Sequence, residues 1–507
     1  MNYKMIRHTM GLILMFEAGF MAVPMITALL SALLTSDSER EWKSLLMFAV
    51  SAAVCLLVGR LLSMKKPKDT TLYAKEGFVI ASLAWIVLAI FGSAPFLLTG
   101  VLTNPFDAIF ETVSGFTTTG STIFTAVEWL PKSVLIWRSF THWVGGMGVL
   151  VFIMAFMPLA GGQNMHIMKA ESPGPEVSKF VPRVRETALI LYGIYLVLTI
   201  LCFISYWMSG FSFFEALCNA FSTAGTGGFG IRNDSYASMT HLQQWLAIIF
   251  MLLFAVNFNA YYLIIRKKVK EIFNSEFRAF VIIVFGAIIL ISVNIYLQRA
   301  GINANTPEDA GDMHLIKSFG DAVRNAAFYV AALVSTTGFC TVDYNLWPVF
   351  SQSILLFALF CGACAGSTGG GFKVSRVIIL LKGMRNELNK LIHPRQVKKI
   401  TMDKRPVDSE VVRSVNAFLV AYVFVLVISV WLVSVDTGSD ILTSVTAVMT
   451  ALSNVGPGLG SVGPVNNFAH LSNFSKLVLS CDMLIGRLEI FPVLVLLSPA
   501  TYKNRGF

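Results

Sequence analysis

The sequence predicts an all-α integral membrane protein: two N-terminal helices, then four helix–pore loop–helix repeats around a pseudo-fourfold pore. Three observations predict it. Of the 507 residues, 55% are hydrophobic and only 13% are charged, whereas soluble domains carry roughly 25% charged residues. Apolar stretches long enough to cross a bilayer as helix recur along the chain. A short motif of hydroxyls closed by a glycine returns four times.

The apolar stretches place about ten spans near 9–34, 44–64, 76–100, 134–158, 186–209, 242–265, 276–298, 347–381, 411–436 and 473–500. The first is too long for a secretory signal, contains Glu17 and Pro24, and is read as a retained span. Basic clusters at Lys65, Lys66 and Lys68, at Arg266, Lys267, Lys268 and Lys270, and from Lys382 to Arg405 fall on one side if ten spans alternate. By the positive-inside bias that side is the cytosol, with both termini there. The net charge of +10 is thus a topology signal, and no nucleic-acid partner is expected.

The repeated motif reads FTTTG ending at Gly120, FSTAG ending at Gly225, VSTTG ending at Gly338 and LSNVG ending at Gly456. The period is about 110 residues. Each copy follows a spanning helix and a half-apolar segment too short to cross, near 105–117, 211–222, 319–335 and 438–453, and precedes a return helix. This divides the chain into two extra spans (1–70) and four repeats (71–160, 161–270, 271–405 and 406–507). Irregular backbone at membrane depth is tolerated where protein buries it or where it lines a watery cavity. Four such loops meeting on one axis form a pore.

The chemistry of the loops suits a monovalent cation. Glycine permits positive φ at little steric cost, which lets successive carbonyls point one way and replace an ion's hydration shell. Before the glycines stand Thr119, Ala224, Thr337 and Val455, and before those Thr118, Thr223, Thr336 and Asn454. None is charged, unlike the acidic rings of divalent-cation channels. Each half-helix would direct a C-terminal end, with about half a negative charge, at the axis.

GACAGSTGGGFK, Gly362 to Lys373, interrupts the third return span. It fails the Walker A pattern because Phe372 separates Gly371 from Lys373. Its glycines and hydroxyls (Gly366, Ser367, Thr368, Gly369, Gly370 and Gly371) read as a broken helix that blocks or clears the pore, or as a packing kink. Arg487, expected near the middle of the last span, either faces the pore as a barrier to cations or pairs with Asp482 or Glu489. Glu111 and Glu215, expected at the starts of half-helices, either attract cations at the entrance or complement helix dipoles. His142 and Trp143 precede the glycines of a return helix, where close packing is the expected role. Cys361 and Cys364 have C-x-x-C spacing without a second pair or a nearby histidine, so neither a metal nor a redox site is expected. In the largest cytosolic loop, Leu388, Leu391 and Ile392 form an apolar stripe among basic residues, as in a membrane-surface helix. The seven histidines make no H-E-x-x-H grouping, so an enzyme is not expected.

VSGFTTTGST, AFSTAGTGGFG, VSTTGFC and LSNVGPG, with CGACAGSTGGGFKVSRV, HWVGGMGVLVF and LIGRLEIFPVLVL, together resemble the Trk/Ktr superfamily of potassium-uptake proteins, TrkH type, over nearly the whole chain. The resemblance implies K+ as the transported ion and no organic cofactor. It implies a selectivity filter at Thr118–Gly120, Thr223–Gly225, Thr336–Gly338 and Asn454–Gly456. The second stretch, with Gly225, Gly227 and Gly228, leaves its register open by one or two residues. The resemblance further implies that Gly362–Gly371 is an intramembrane gating loop, that Arg487 is a charge barrier, and that a cytosolic TrkA-type nucleotide-binding ring regulates a homodimer in the bacterial inner membrane. Whether flux is passive or coupled to sodium or protons stays open, as does a non-conducting scaffold role.

Overall fold

The computed structural model describes residues 1–34, 38–65, 67, 72–148, 184–306, 315–394, 399–403, 405–436 and 440–502. The described residues are mostly helical, with one two-stranded hairpin among them, Thr401–Met402 against Arg405–Pro406. Among the described residues six helices are long and apolar enough to cross a membrane: Tyr3–Leu34, Ser38–Ser63, Lys75–Thr99, Ala188–Met208, Ser275–Leu297 and Ser409–Val433. The first two pack where Gly11 meets Gly59. A Cβ at either glycine would press on the other's carbonyl oxygen, the close approach that small residues give membrane helices.

The last four of these helices each lead a repeat, and each is followed by a half-helix: Pro105–Phe116, Phe213–Ala224, Phe319–Val334 and Ile441–Ser453. Local chemistry starts each one. The side chains of Asn104, Ser212, Ser318 and Asp440 cap their N-termini, satisfying backbone donors left over at a helix start.

The return helices are shorter than the expected spans, of which only the third is expected to be interrupted. They run Lys132–Gly146, His241–Ala255, Val349–Cys361 and Asn473–Arg487, 15, 15, 13 and 15 residues. The second bends by 87° into Phe258–Ile265, where the Asn257 side chain caps the new helix. The third gives way to the glycine-rich loop before Val374–Ile392. The fourth breaks at Glu489 and Ile490, both at positive φ, before Phe491–Leu497. The first reaches Met147 and Gly148, and its expected continuation to residue 158 lies outside the described residues. Among the described residues the second, third and fourth return helices are thus interrupted, and small or polar residues near the breaks (Asn257, Gly362, Gly486) encode it.

Candidate functional site

Each half-helix ends in the same backbone device. The amides of Thr118, Thr226, Thr336 and Asn454 donate to carbonyls three residues back, at 3.1–3.2 Å, and those of Thr119, Gly227, Thr337 and Val455 to carbonyls five back, at 2.8–3.0 Å. This is the Schellman pattern, which puts the first residue of each pair in the left-handed region. There φ is 57° at Thr118, 53° at Thr226, 59° at Thr336 and 53° at Asn454. Glycine usually occupies that position, and a β-branched residue there is strained by about 1–3 kcal/mol. Two residues on, the chain turns left-handed again at Gly120, Gly228, Gly338 and Gly456, with φ of 84°, 82°, 76° and 97°.

This geometry corrects the second stretch by three residues. Thr223 and Ala224 are the last turn of their half-helix, and Gly225 is its C-cap in right-handed conformation. The equivalent of Thr118–Gly120 is Thr226–Gly228. The sequence TAGTGG offers a glycine in both phases, and the right-handed backbone carries through the first before the chain turns left-handed at Thr226. Thr223 instead bonds Asn219 O and the Tyr206 hydroxyl.

The four stretches form a closed ring. A Cβ at Gly120 would overlap the Gly227 carbonyl oxygen, one at Gly228 that of Thr337, one at Gly338 that of Val455, and one at Gly456 would lie 2.8 Å from that of Thr119. Each glycine therefore seats its α-carbon on the carbonyl of the next repeat, and the fourth returns to the first. All four line a cavity of about 130 Å3. A second cavity of about 90 Å3 is lined by Asn454, Gly486, Arg487 and the glycine-rich loop.

The side chains behind the ring differ between repeats. Thr117 Oγ1 bonds Thr119 Oγ1 at 2.8 Å, and Ser335 Oγ bonds Thr337 Oγ1 at 2.7 Å. In the second repeat both positions are glycine, Gly225 and Gly227, and His142 takes the space, its backbone carbonyl against Gly225 and its ring against Gly227. One ring nitrogen of His142 lies 2.7 Å from Gly115 O, and the other accepts from Phe229 N at 3.2 Å. This histidine braces the first repeat to the second. Sequence reasoning gave it only a packing role, because nothing local marks a contact to residue 229. The packing role is also present: Gly145 and Gly146 lie so close to Phe116 O and Gly225 Cα that a Cβ would overlap them.

Glu111 is seven residues into its half-helix and fully buried, not at its start. Its carboxylate takes Arg138 Nε at 2.8 Å, Ile123 N at 2.9 Å and the Thr122 hydroxyl at 3.1 Å. It fixes the chain just after the ring and does not face an entrance. Glu215 completes a capping box with Ser212 and pairs with Arg232 at 2.7 Å, which matches the helix-terminus alternative.

Arg487 is the last residue of its helix rather than a mid-span residue. Its guanidinium donates to Thr368 O at 3.1 Å, Gly146 O at 2.8 Å, Thr118 Oγ1 at 3.3 Å and also Gly145 O. It therefore bridges the first repeat, the ring and the loop. Asp482 accepts instead from Ser429 at 2.7 Å, and Glu489 pairs with Arg376 at 2.5 Å.

The loop lies against the ring. Gly370 N donates to Thr336 Oγ1 at 2.6 Å, and a Cβ at Gly369 or Gly370 would crowd Ser335 O or Ser453 O. Further bonds hold it to the broken second return helix: Cys364 N to Ala255 O at 3.1 Å, Phe258 N to Gly366 O at 3.0 Å, and Thr368 Oγ1 to Phe254 O at 3.2 Å. Ala365 N donates to Glu276 Oε1 at 2.7 Å. Cys361 and Cys364 are buried free thiols. On the long helix after the loop, Leu388, Leu391 and Ile392 are exposed.

Broken helices, left-handed loops in a ring and a cavity on either face define a membrane transport protein. The TrkH family, described as cation transport protein, matches residues 45–503, and the chain belongs to that family. It is 34% identical to a Trk system potassium uptake protein TrkH of Halomonas elongata, over 99% of this chain and all of the relative. It is 32% identical to the protein of that name in Escherichia coli K12, with the same coverage. The crystal structure of the potassium transporter TrkH from Vibrio parahaemolyticus superposes with a TM-score of 0.84 at 33% identity, over 99% of this chain and 100% of that one.

Proposed function

We propose that this chain takes up potassium across the bacterial inner membrane through the ring Thr118–Gly120, Thr226–Gly228, Thr336–Gly338 and Asn454–Gly456. The observation that carries the reading is the closed glycine-on-carbonyl ring, fed by the C-terminal ends of four half-helices. Those ends favour a cation electrostatically, and the uncharged carbonyls replace water around a monovalent ion without holding it as an acidic ring would. A membrane potential negative inside drives entry with about 2.3 kcal/mol per charge per 100 mV. The names of the relatives support potassium as the ion.

The loop Gly362–Gly371 is the gate, and Arg487 is the charge barrier beneath the ring. Both line the inner cavity, and Arg487 bonds the loop directly at Thr368 O. Regulation comes from a cytosolic nucleotide-binding ring of the TrkA type acting on a homodimer.

Rubidium-86 uptake into liposomes holding the purified chain tests this reading. Uptake blocked by potassium more strongly than by sodium is expected, either from the chain alone or after a TrkA-type ring and ATP are added. No uptake under either condition overturns it in favour of a non-conducting subunit. Uptake that requires a sodium or proton gradient replaces passive flux with symport.

A further inference from the structure

Lys373 closes the glycine-rich loop and carries a second positive charge into the cavity beneath the ring. Its side chain is 2% exposed and lines that cavity with Asn454, Arg487 and Glu489. Its backbone is left-handed, φ 79°, so the chain turns sharply between the loop and the helix Val374–Ile392. That turn folds the side chain back, and Nζ donates to Gly369 O within the loop. The neighbouring carbonyl, Thr368 O, is taken by Arg487. Two adjacent loop carbonyls are therefore held by two protein cations.

Among the described residues, the charged lining of this cavity is Lys373, Arg487 and Glu489. One oxygen of Glu489 is bound by Arg376, whose guanidinium also stacks 4.1 Å over the Phe418 ring. The Arg376–Glu489 pair balances itself, so the lining carries net positive charge. An ammonium is a compact point charge with three donors and matches a potassium ion in charge. Seated on a carbonyl, it stands where a passing ion would sit.

Resting on the proposed conduction through the ring, we propose that Lys373 is a second cationic barrier: its ammonium occupies the Gly369 carbonyl and holds the loop shut until the loop moves. No bond is made or broken except this hydrogen bond. The barrier differs from that of Arg487 in being carried on the moving loop itself, so opening removes it from the path.

The test is rubidium-86 uptake into liposomes by the full chain carrying Lys373→Met, Lys373→Gln or Lys373→Arg, with Arg487→Gln beside them. Size-exclusion profiles in detergent check folding. Removing one charge from the cavity is expected to raise uptake by at least about tenfold. Gln still donates to Gly369 O but lacks the charge, so it should leak like Met, while Arg should stay well below both. If Gln restores the block, Lys373 is only a hydrogen-bonding strut and the proposal fails. If Lys373→Met folds without raising uptake while Arg487→Gln raises it, conduction stands and the second barrier is overturned. If Met misfolds, the Gln–Arg contrast separates barrier from strut in the same way. Failure of every chain to take up rubidium, with a TrkA-type ring and ATP present, overturns the conduction reading itself.

Discussion

The side-chain amide of Asn454 donates to Thr119 Oγ1 at 3.0 Å, joining the fourth repeat to the first. The same nitrogen reaches Met483 O at 2.9 Å, in the last return helix. The other repeats carry threonine at this position. Asn454 is also the residue best able to bear the left-handed backbone there. Replacing it with alanine removes two hydrogen bonds, each worth about 0.5–1.5 kcal/mol. Asn454→Ala should therefore loosen the ring and lower the preference for potassium over sodium, by roughly tenfold if about 1.4 kcal/mol is lost at the ion site. Competition of sodium against rubidium uptake measures it. Unchanged competition would mean that this contact does not set ring width.

The register of the second stretch has its own test. Gly228 sits at positive φ against Thr337 O, with no room for a methyl group. Gly228→Ala should abolish uptake. Gly210 is also at positive φ, but nothing lies within 4 Å of a Cβ there. Gly210→Ala should cost about 1–2 kcal/mol of local strain and leave uptake intact. Uptake assays and thermal unfolding in detergent read the two together. Loss in both variants would point to general strain rather than to the ring.

The repeats, the half-helices and the glycine ends of the loops were legible because each rests on local chemistry: caps, apolar length and turn residues. Half-helix boundaries matched within a few residues for that reason. The second ring stretch was not legible from its motif, since Gly225 and Gly228 both end plausible copies. The deciding information is where the helix stops, and His142, far away in sequence, fills the space that Gly225 and Gly227 leave. The breaks in the return helices were seen only at Gly362–Gly371, because hydropathy does not register a bend at Asn257 or at Glu489 and Ile490. Glu111 was misplaced for a related reason. Its partner Arg138 belongs to the next helix and reads as an ordinary flank in sequence.

That pair gives a stability prediction. Glu111 and Arg138 are both essentially buried, and Arg138 also donates to Gly230 O at 3.1 Å and lies 4.2 Å over the Phe229 ring. Removing one member of a buried pair strands the other charge, at a cost of about 3–5 kcal/mol. Glu111→Gln should lower the thermal midpoint sharply. The double change Glu111→Gln with Arg138→Met should recover a substantial part of it. A double-mutant cycle by thermal unfolding measures the coupling, and additive losses would refute the pairing as the source.

Arg487 is bonded to the ring, the loop and the first return helix at once. A guanidinium satisfies these diverging acceptors because its donors are fixed in a planar fork, whereas a lysine ammonium is a point charge on a flexible stem. The proposed barrier and the observed brace therefore separate. Arg487→Lys keeps the charge and loses most of the bracing, so resting uptake should stay low while the thermal midpoint falls. Arg487→Gln removes the charge, and uptake should rise by tenfold up to about a thousandfold, since a unit charge 4 Å from an ion interacts by about 4 kcal/mol at an effective dielectric of 20 and each 1.4 kcal/mol is a factor of ten. The rise should shrink once the loop is opened by other means, because the bond to Thr368 O is then already broken. Rubidium uptake by Arg487→Gln with and without a substitution in the loop, such as Gly370→Ala, measures that dependence. Equal rises in both backgrounds would show that Arg487 acts independently of the loop.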